Sequence, residues 1–368
     1  MFSRRFSVAV GSLALVAVPD RLAGQCGGLS SAARAQIDKV VTAEMASQHI
    51  PGLALAVGRD GRMLFAKGYG FANLEHDIPA TPRTVFKIGS VSKQFIASGV
   101  MLLVQDGRLG LDDPIAKHLP GAPASWSGVT LRHLLNHTSG IRREGPAFDP
   151  LKVQADSVVI QSAFGDTLQF ATGSRWQYCN VCYFALADVI RRTAGVPWAD
   201  FIRDRIFLPS GMRDSRTTTT TELVPRRASG YAWRDGRYVP APEYLALRPS
   251  GAFLSTVLDL AKWDSVLTQA SILTASTQSA MASPALLKSG AAAVAGDTAK
   301  RPGYGLGWFV DKHEGRGRVH HGGSLPGFRA EMSRYPDGGW TVIVLTNGNG
   351  AEPARIEEQI AAILFKEP

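Results

Sequence analysis

The chain has 368 residues, 45% hydrophobic and 19% charged, with a formal net charge of +9. That is apolar material for one large domain or two intimate ones, and it excludes bulk disorder. The basic residues are scattered rather than blocked together with aromatics, which indicates a solvated arginine-rich surface and not nucleic-acid binding.

The first element reads as an export signal. Arg4 and Arg5 form a positive start, Val8 to Val18 is an apolar stretch, and Pro19 and Asp20 break it. A membrane-spanning helix needs about 20 apolar residues, so residues 1–24 are expected to be a signal peptide rather than an anchor. Cleavage is expected between 24 and 35, near Gly24 or at Ala33-Arg34-Ala35, leaving a periplasmic or secreted protein with no stable membrane span. Leu22-Ala23-Gly24-Gln25-Cys26 is one residue too long for a lipoprotein box, so lipidation is a minor option.

An amphipathic helix is expected over 31–49. Two apolar runs, 53–57 and 63–66, flank Gly58-Arg59-Asp60-Gly61, a strand–turn–strand signal. Residues 90–285 read as mainly helical, with helices at 90–106, 130–136, 180–194, 197–207 and 256–268. Strands return at 305–310, 328–335 and 341–345, and a helix at 352–365 closes the chain. Residues 289–299 read as a loose surface excursion. Strands at both ends around a helical middle predict an α+β fold: one sheet built from both termini, a helical lobe inserted, and a cleft between them.

Ser90-Val91-Ser92-Lys93 carries the chemistry. Positions three apart share a helix face, so Lys93 reaches the Ser90 hydroxyl, and serine needs such a base to become a nucleophile. Gly89 allows close approach to Ser90, and the helix N-terminus favours negative charge there. Alone, Ser-x-x-Lys is common by chance, and a capping serine beside a solvated lysine explains it. Two further stretches change the balance: Tyr178-Cys179-Asn180 at a helix start, and His321-Gly322-Gly323 after a strand-like run, spaced 88 and 143 residues apart.

In these three elements, in this order, the chain resembles the serine β-lactamase and penicillin-binding superfamily, in its branch of class C β-lactamases, DD-carboxypeptidases and esterases. The resemblance covers about residues 31–366, with support at 131–140, 209–212, 250–263 and 304–308. It implies a single catalytic domain of β-lactamase/transpeptidase-like fold, its antiparallel sheet flanked by helices. It further implies that Ser90 is acylated and that Lys93 and Tyr178 activate it, either being the working base. A neighbouring ammonium is expected to lower the Tyr178 pKa. Asn180 is expected to bond Lys93 and substrate. His321, Gly323 and Ser324 would line the site, with the N–H groups of Ser90 and Ser324 holding the oxyanion.

The substrate is then a small molecule or peptide with an acyl group, and no metal or cofactor is required. Three readings stay open: an ester or amide hydrolase, a penicillin-binding sensor that hardly deacylates, and a true class C-like β-lactamase. His321 is a weaker permanent cation than the lysine many relatives carry there, which tilts against the last. Oligomeric state is left open. His133 and His137 resemble a metal pair without a third ligand and read as structural. Cys179 and Cys182 read as small buried thiols packing a helix face, since nothing nearby completes a zinc site. If the run is a strand, His320 points away from His321. Trp176, Trp263 and Trp308 read as core or cleft wall, and Arg329 as a minor candidate for an acidic substrate.

Overall fold

The computed structural model describes residues 28–218, 221–244, 248–251, 253–295 and 302–367. The expected export segment lies outside them, and the Ala33-Arg34-Ala35 step falls within the first helix. No helix among the described residues is long and apolar enough to cross a membrane.

Helix α1 (Ser31–Ser47) starts where Ser30 accepts a hydrogen bond from the Ala33 amide, the cap a serine pair supplies. Strands β1 (Gly52–Arg59) and β2 (Arg62–Asn73) follow, joined by Asp60 and Gly61, both at positive φ, as a two-residue hairpin turn requires. A short edge strand, β3 (Ile78–Pro79), ends this run. After the middle of the chain come β4 (Gly303–Tyr304), β5 (Phe309–His313), β6 (Arg316–Leu325), β7 (Phe328–Tyr335) and β8 (Trp340–Thr346). Together they make an eight-stranded antiparallel sheet in the order β3-β2-β1-β8-β7-β6-β5-β4. The two chain ends therefore meet at its centre, Leu53 opposite Thr346 and Arg59 opposite Trp340.

Side-chain alternation divides the core. Leu53, Leu55 and Val57 of β1, with Val342 and Val344 of β8, face α1 and the closing helix. Ala54, Ala56, Ile343 and Leu345 point the other way, into the helical lobe. That lobe is organised by α2 (Lys93–Gln105), buried on all sides from Lys93 to Leu103, and by α3 (Asn180–Ala194) and α4 (Val257–Gln269). A helix apolar all round belongs in a core, so α2 fixes its first residues at the centre of the molecule. The closing helix is α5 (Pro353–Leu364).

Three expectations are corrected. The strand expected over 305–310 is broken, because Gly307 turns at φ +83° and its backbone packs on Ala97 and the Lys93 carbonyl, ending β4 before β5 begins. The helix expected over 197–207 is α-helical only from Trp198 to Ile202 and widens into a π turn at 203–207. The described part of 289–299 is not a loose excursion: Ala293 is buried and its backbone bonds Ala285 and Tyr304. The middle of the chain also holds small strands, at 86–87, 216–217 and 253–255 and in a hairpin over 231–240.

Where α5 covers the sheet, Arg318 is 7% exposed and bonds Asp311, Glu357 and Glu358 at 2.8, 3.4 and 2.9 Å. Removing the arginine leaves the fully buried Glu357 without its cation. Arg318→Met is expected to lower unfolding free energy by about 3–5 kcal/mol, read from urea denaturation.

Candidate active site

Ser90 lies in a single 3-10 turn, Gly89–Ser92, that runs directly into α2. Lys93 follows as the first α-helical residue and is fully buried. Its Nζ lies 2.8 Å from Asn180 Oδ1, 2.5 Å from the Ser250 carbonyl and 3.4 Å from Ser90 Oγ. The first two partners can only accept, so two of its hydrogens are committed and its third position faces Ser90. Burial drives the Lys93 pKa well below the ordinary lysine value; Glu144 opposes this and Arg143 adds to it. Ser92 is occupied otherwise: its hydroxyl donates to the Gly89 carbonyl at 2.6 Å and accepts from the Phe253 amide.

Tyr178 and Asn180 arrive on the N-terminus of α3. The Asn180 amide group is oriented from behind, because Nδ2 donates to Glu144 and so turns Oδ1 toward Lys93. The Lys93 nitrogen stands 4.6 Å from the centre of the Tyr178 ring, and Arg143 Cζ stands 5.0 Å from it. The Tyr178 hydroxyl is buried with no hydrogen-bond partner. Its pKa is raised, not lowered as expected beside an ammonium: burial outweighs the downward pulls of the nearby Ser90 hydroxyl and Arg143. Tyr178 is therefore a phenol. The reading of Cys179 and Cys182 is also corrected: both are fully buried, as expected, but they are joined in a disulfide.

The third stretch lies on β6, and its glycines explain the approach of sheet to helix. A Cβ on Gly323 would stand 2.0 Å from the Ile88 carbonyl oxygen, and one on Gly89 2.6 Å from the Ser324 amide nitrogen. Only bare backbone fits, so the turn that carries Ser90 packs directly on the Gly323–Ser324 backbone. His321 and His320 point to opposite faces, as expected, and their environments drive them apart. His321 is 1% exposed; its Nδ1 donates to the Gly322 carbonyl at 2.6 Å, so Nε2 accepts from the Tyr304 hydroxyl at 3.0 Å. Burial, with Lys93 nearby, pulls its pKa down to about 3. It is a neutral tautomer locked by Tyr304, not even a weak cation at neutral pH. Burial likewise opposes charge on His320, but the Asp311 carboxylate 3.5 Å from Nε2 and the Glu331 carboxylate bonded to Nδ1 at 2.9 Å prevail and raise it to about 9.

Two cavities meet at Ser90 and share Arg143 and Ser324. One, of about 850 Å³, has Tyr178, Trp176, Phe309 and Glu331 in its wall; the other, of about 490 Å³, has Glu144, Asn180, Tyr244 and Arg329. Trp176 is thus cleft wall, whereas Trp263 and Trp308 are core. One Arg329 nitrogen is used on the Leu325 and Phe328 carbonyls. His133 caps its own helix through Thr130, and His137 is buried under Tyr178 and Tyr304. Among the described residues no group of three or more His, Cys, Asp or Glu is placed to hold a metal. The structure thus brings all seven expected residues together. It adds Arg143, Glu144, Ser250 and Tyr304, of which Ser250 and Tyr304 lay in stretches already noted; Arg143 and Glu144 carried no motif.

The chain is similar to known proteins over most of its length. The family model described as Beta-lactamase matches residues 37–365. The chain is 31% identical to penicillin-binding protein 4* of Bacillus subtilis over 334 residues, 84% of this chain and 71% of the relative. The octameric penicillin-binding protein homologue from Pyrococcus abyssi superposes with TM-score 0.78 at 28% identity, covering 90% of this chain and 77% of that one. D-amino acid amidase from Ochrobactrum anthropi shares the fold at TM-score 0.80 and 24% identity, over 92% and 100% of the two chains.

Two expectations follow from the geometry. Imidazole nitrogen NMR should show His321 as the neutral Nδ1–H tautomer throughout pH 5 to 9, with His320 protonated until close to pH 9. Gly323→Ala should push β6 off Ile88 and cut acylation by about 100-fold or more, the loss typical of one missing oxyanion donor, with little change in substrate affinity.

Proposed function

Because the chain belongs to the beta-lactamase family, we propose that it is an exported serine hydrolase that opens ester or amide bonds through an acyl-enzyme on Ser90. The observation that carries this reading is the threefold setting of Lys93. Burial depresses its pKa and two of its hydrogens go to Asn180 and Ser250, so once it gives up its third proton the amine has Ser90 Oγ, 3.4 Å away, to turn its lone pair toward. Ser90 Oγ attacks the acyl carbon as its proton passes to Lys93. The oxyanion is held by the Ser90 and Ser324 amides. On collapse, the leaving group takes a proton from the Tyr178 phenol, which Lys93 restores. Water then repeats the sequence on the acyl-enzyme. In this scheme Lys93 is the base and Tyr178 the proton relay.

The neutral His321 supports an uncharged acyl compound, a simple ester or amide, ahead of a β-lactam or peptide held through its carboxylate. The name of the Bacillus relative keeps penicillin as an alternative acyl donor. A penicillin that labels Ser90 and stays bound for hours would favour the sensor reading over turnover.

Ser90→Ala should abolish labelling by a fluorophosphonate probe in a folded protein, and label appearing on Ser92 would refute the assignment. Lys93→Arg puts a permanent cation where the scheme needs a proton acceptor, and acylation by p-nitrophenyl acetate should fall about 100-fold or more. Tyr178→Phe should be comparably slow, and the double variant little worse, because residues acting as a unit are not additive. Stopped-flow acylation rates of the three proteins decide this.

A further inference from the structure

The start of α3 carries a crosslink that the chemistry above does not use. Cys179 sits between Tyr178 and Asn180, and its sulfur is bonded to that of Cys182, one turn into the helix. We propose that the Cys179–Cys182 disulfide is a positioning element of the acylation machinery, keeping the Tyr178 hydroxyl and the Asn180 amide in register with Lys93. This rests on the reading of Ser90 as the acylated nucleophile.

Four observations support it. The Tyr178 hydroxyl has no hydrogen-bond partner, so the residue is held by its own backbone and by contacts to its ring: His137 at 4.4 Å between centroids, Lys93 Nζ at 4.6 Å and Arg143 Cζ at 5.0 Å from the ring centre. Cys179 is the N-cap of α3, in extended conformation, and the Cys182 amide donates to its sulfur at 3.1 Å. Sulfur is a weak acceptor where serine or aspartate would supply oxygen, so the covalent bond reinforces a weak cap. The surroundings are full: both cysteines are 0% exposed, with the Ser139 hydroxyl 3.4 Å from one sulfur and the Arg142 carbonyl 3.5 Å from the other. Two separate thiols need more room than a bonded pair, and a close-packed interior passes that displacement to the neighbouring backbone. Finally, the crosslink encloses only Asn180 and Val181 between its cysteines. So short a loop restricts the unfolded chain little, which leaves the effect local rather than global.

Opening it is a two-electron reduction. Dithiothreitol attacks one sulfur, is itself oxidised to its cyclic disulfide, and leaves two cysteine thiols that take up two protons. The test compares the untreated protein, the protein reduced with dithiothreitol, and the Cys179→Ala/Cys182→Ala variant, all with p-nitrophenyl acetate. Mass spectrometry after iodoacetamide counts the opened thiols. Reduction should add two carbamidomethyl groups and lower kcat about 10- to 100-fold with KM within twofold, as for a group displaced by about an ångström. Reoxidation should restore kcat, whereas the double variant should be slow and indifferent to dithiothreitol. The double variant needs no reductant to enter a buried site, so it decides the matter even if the native bond resists reduction. A folded double variant with the kcat of the untreated protein overturns the proposal, even if its melting temperature falls, and so does finding both thiols free before treatment. Absence of any fluorophosphonate label on Ser90 in the untreated protein would instead strike at the hydrolase reading itself.

Discussion

Everything at this site follows from burying one lysine. A charged amine taken out of water is costly unless its hydrogens are met, and Lys93 sits at the head of a helix buried on every side. Its partners come from separate parts of the chain: Ser90 from the preceding turn, Asn180 from the start of α3, and the Ser250 carbonyl from a short helix before α4. Meeting one nitrogen's hydrogen bonds therefore assembles the site. The same burial that makes the amine costly makes it basic at a useful pH, because the pull away from charge is what frees a lone pair for Ser90.

The two histidines of β6 show how finely the sheet divides its faces. Adjacent in sequence, they occupy environments of opposite character. His320 lies among Asp311 and Glu331 and carries both ring protons, whereas His321 lies against Tyr304 near Lys93 and carries one. A second cation against the buried Lys93 would carry a further desolvation cost, and the Tyr304 hydrogen bond removes the need for one. The glycines beside them act by what they lack: with no side chain at 89 or 323, helix turn and strand touch backbone to backbone.

Tyr178 is the least tethered member of the site. Its oxygen is buried and unbonded, so its acidity is set by burial and its position by the residues on either side. A crosslink at the neighbouring residue lies where such a side chain gains most from a fixed backbone.

Much of this was legible in one dimension. Helical spacing marked Ser90 and Lys93 as a pair, and the resemblance to β-lactamases and penicillin-binding proteins marked Tyr178, Asn180 and the glycine-rich strand after His321. Apolar runs, with a glycine turn between the first two, placed β1, β2, β7 and β8 at the two ends of the chain, since a strand buried on both faces reads as a continuous apolar stretch. What the sequence left undecided depends on groups far apart in it. Whether Tyr178 is phenol or phenolate, and whether His321 is charged, are matters of burial and of partners such as Tyr304 and Arg143. Cys179 and Cys182 carry the same letters whether bonded or free, and only the geometry of the α3 N-terminus joins them. Glu144 has no motif at all, because its place behind Asn180 comes from a loop laid across the helix start by the tertiary fold.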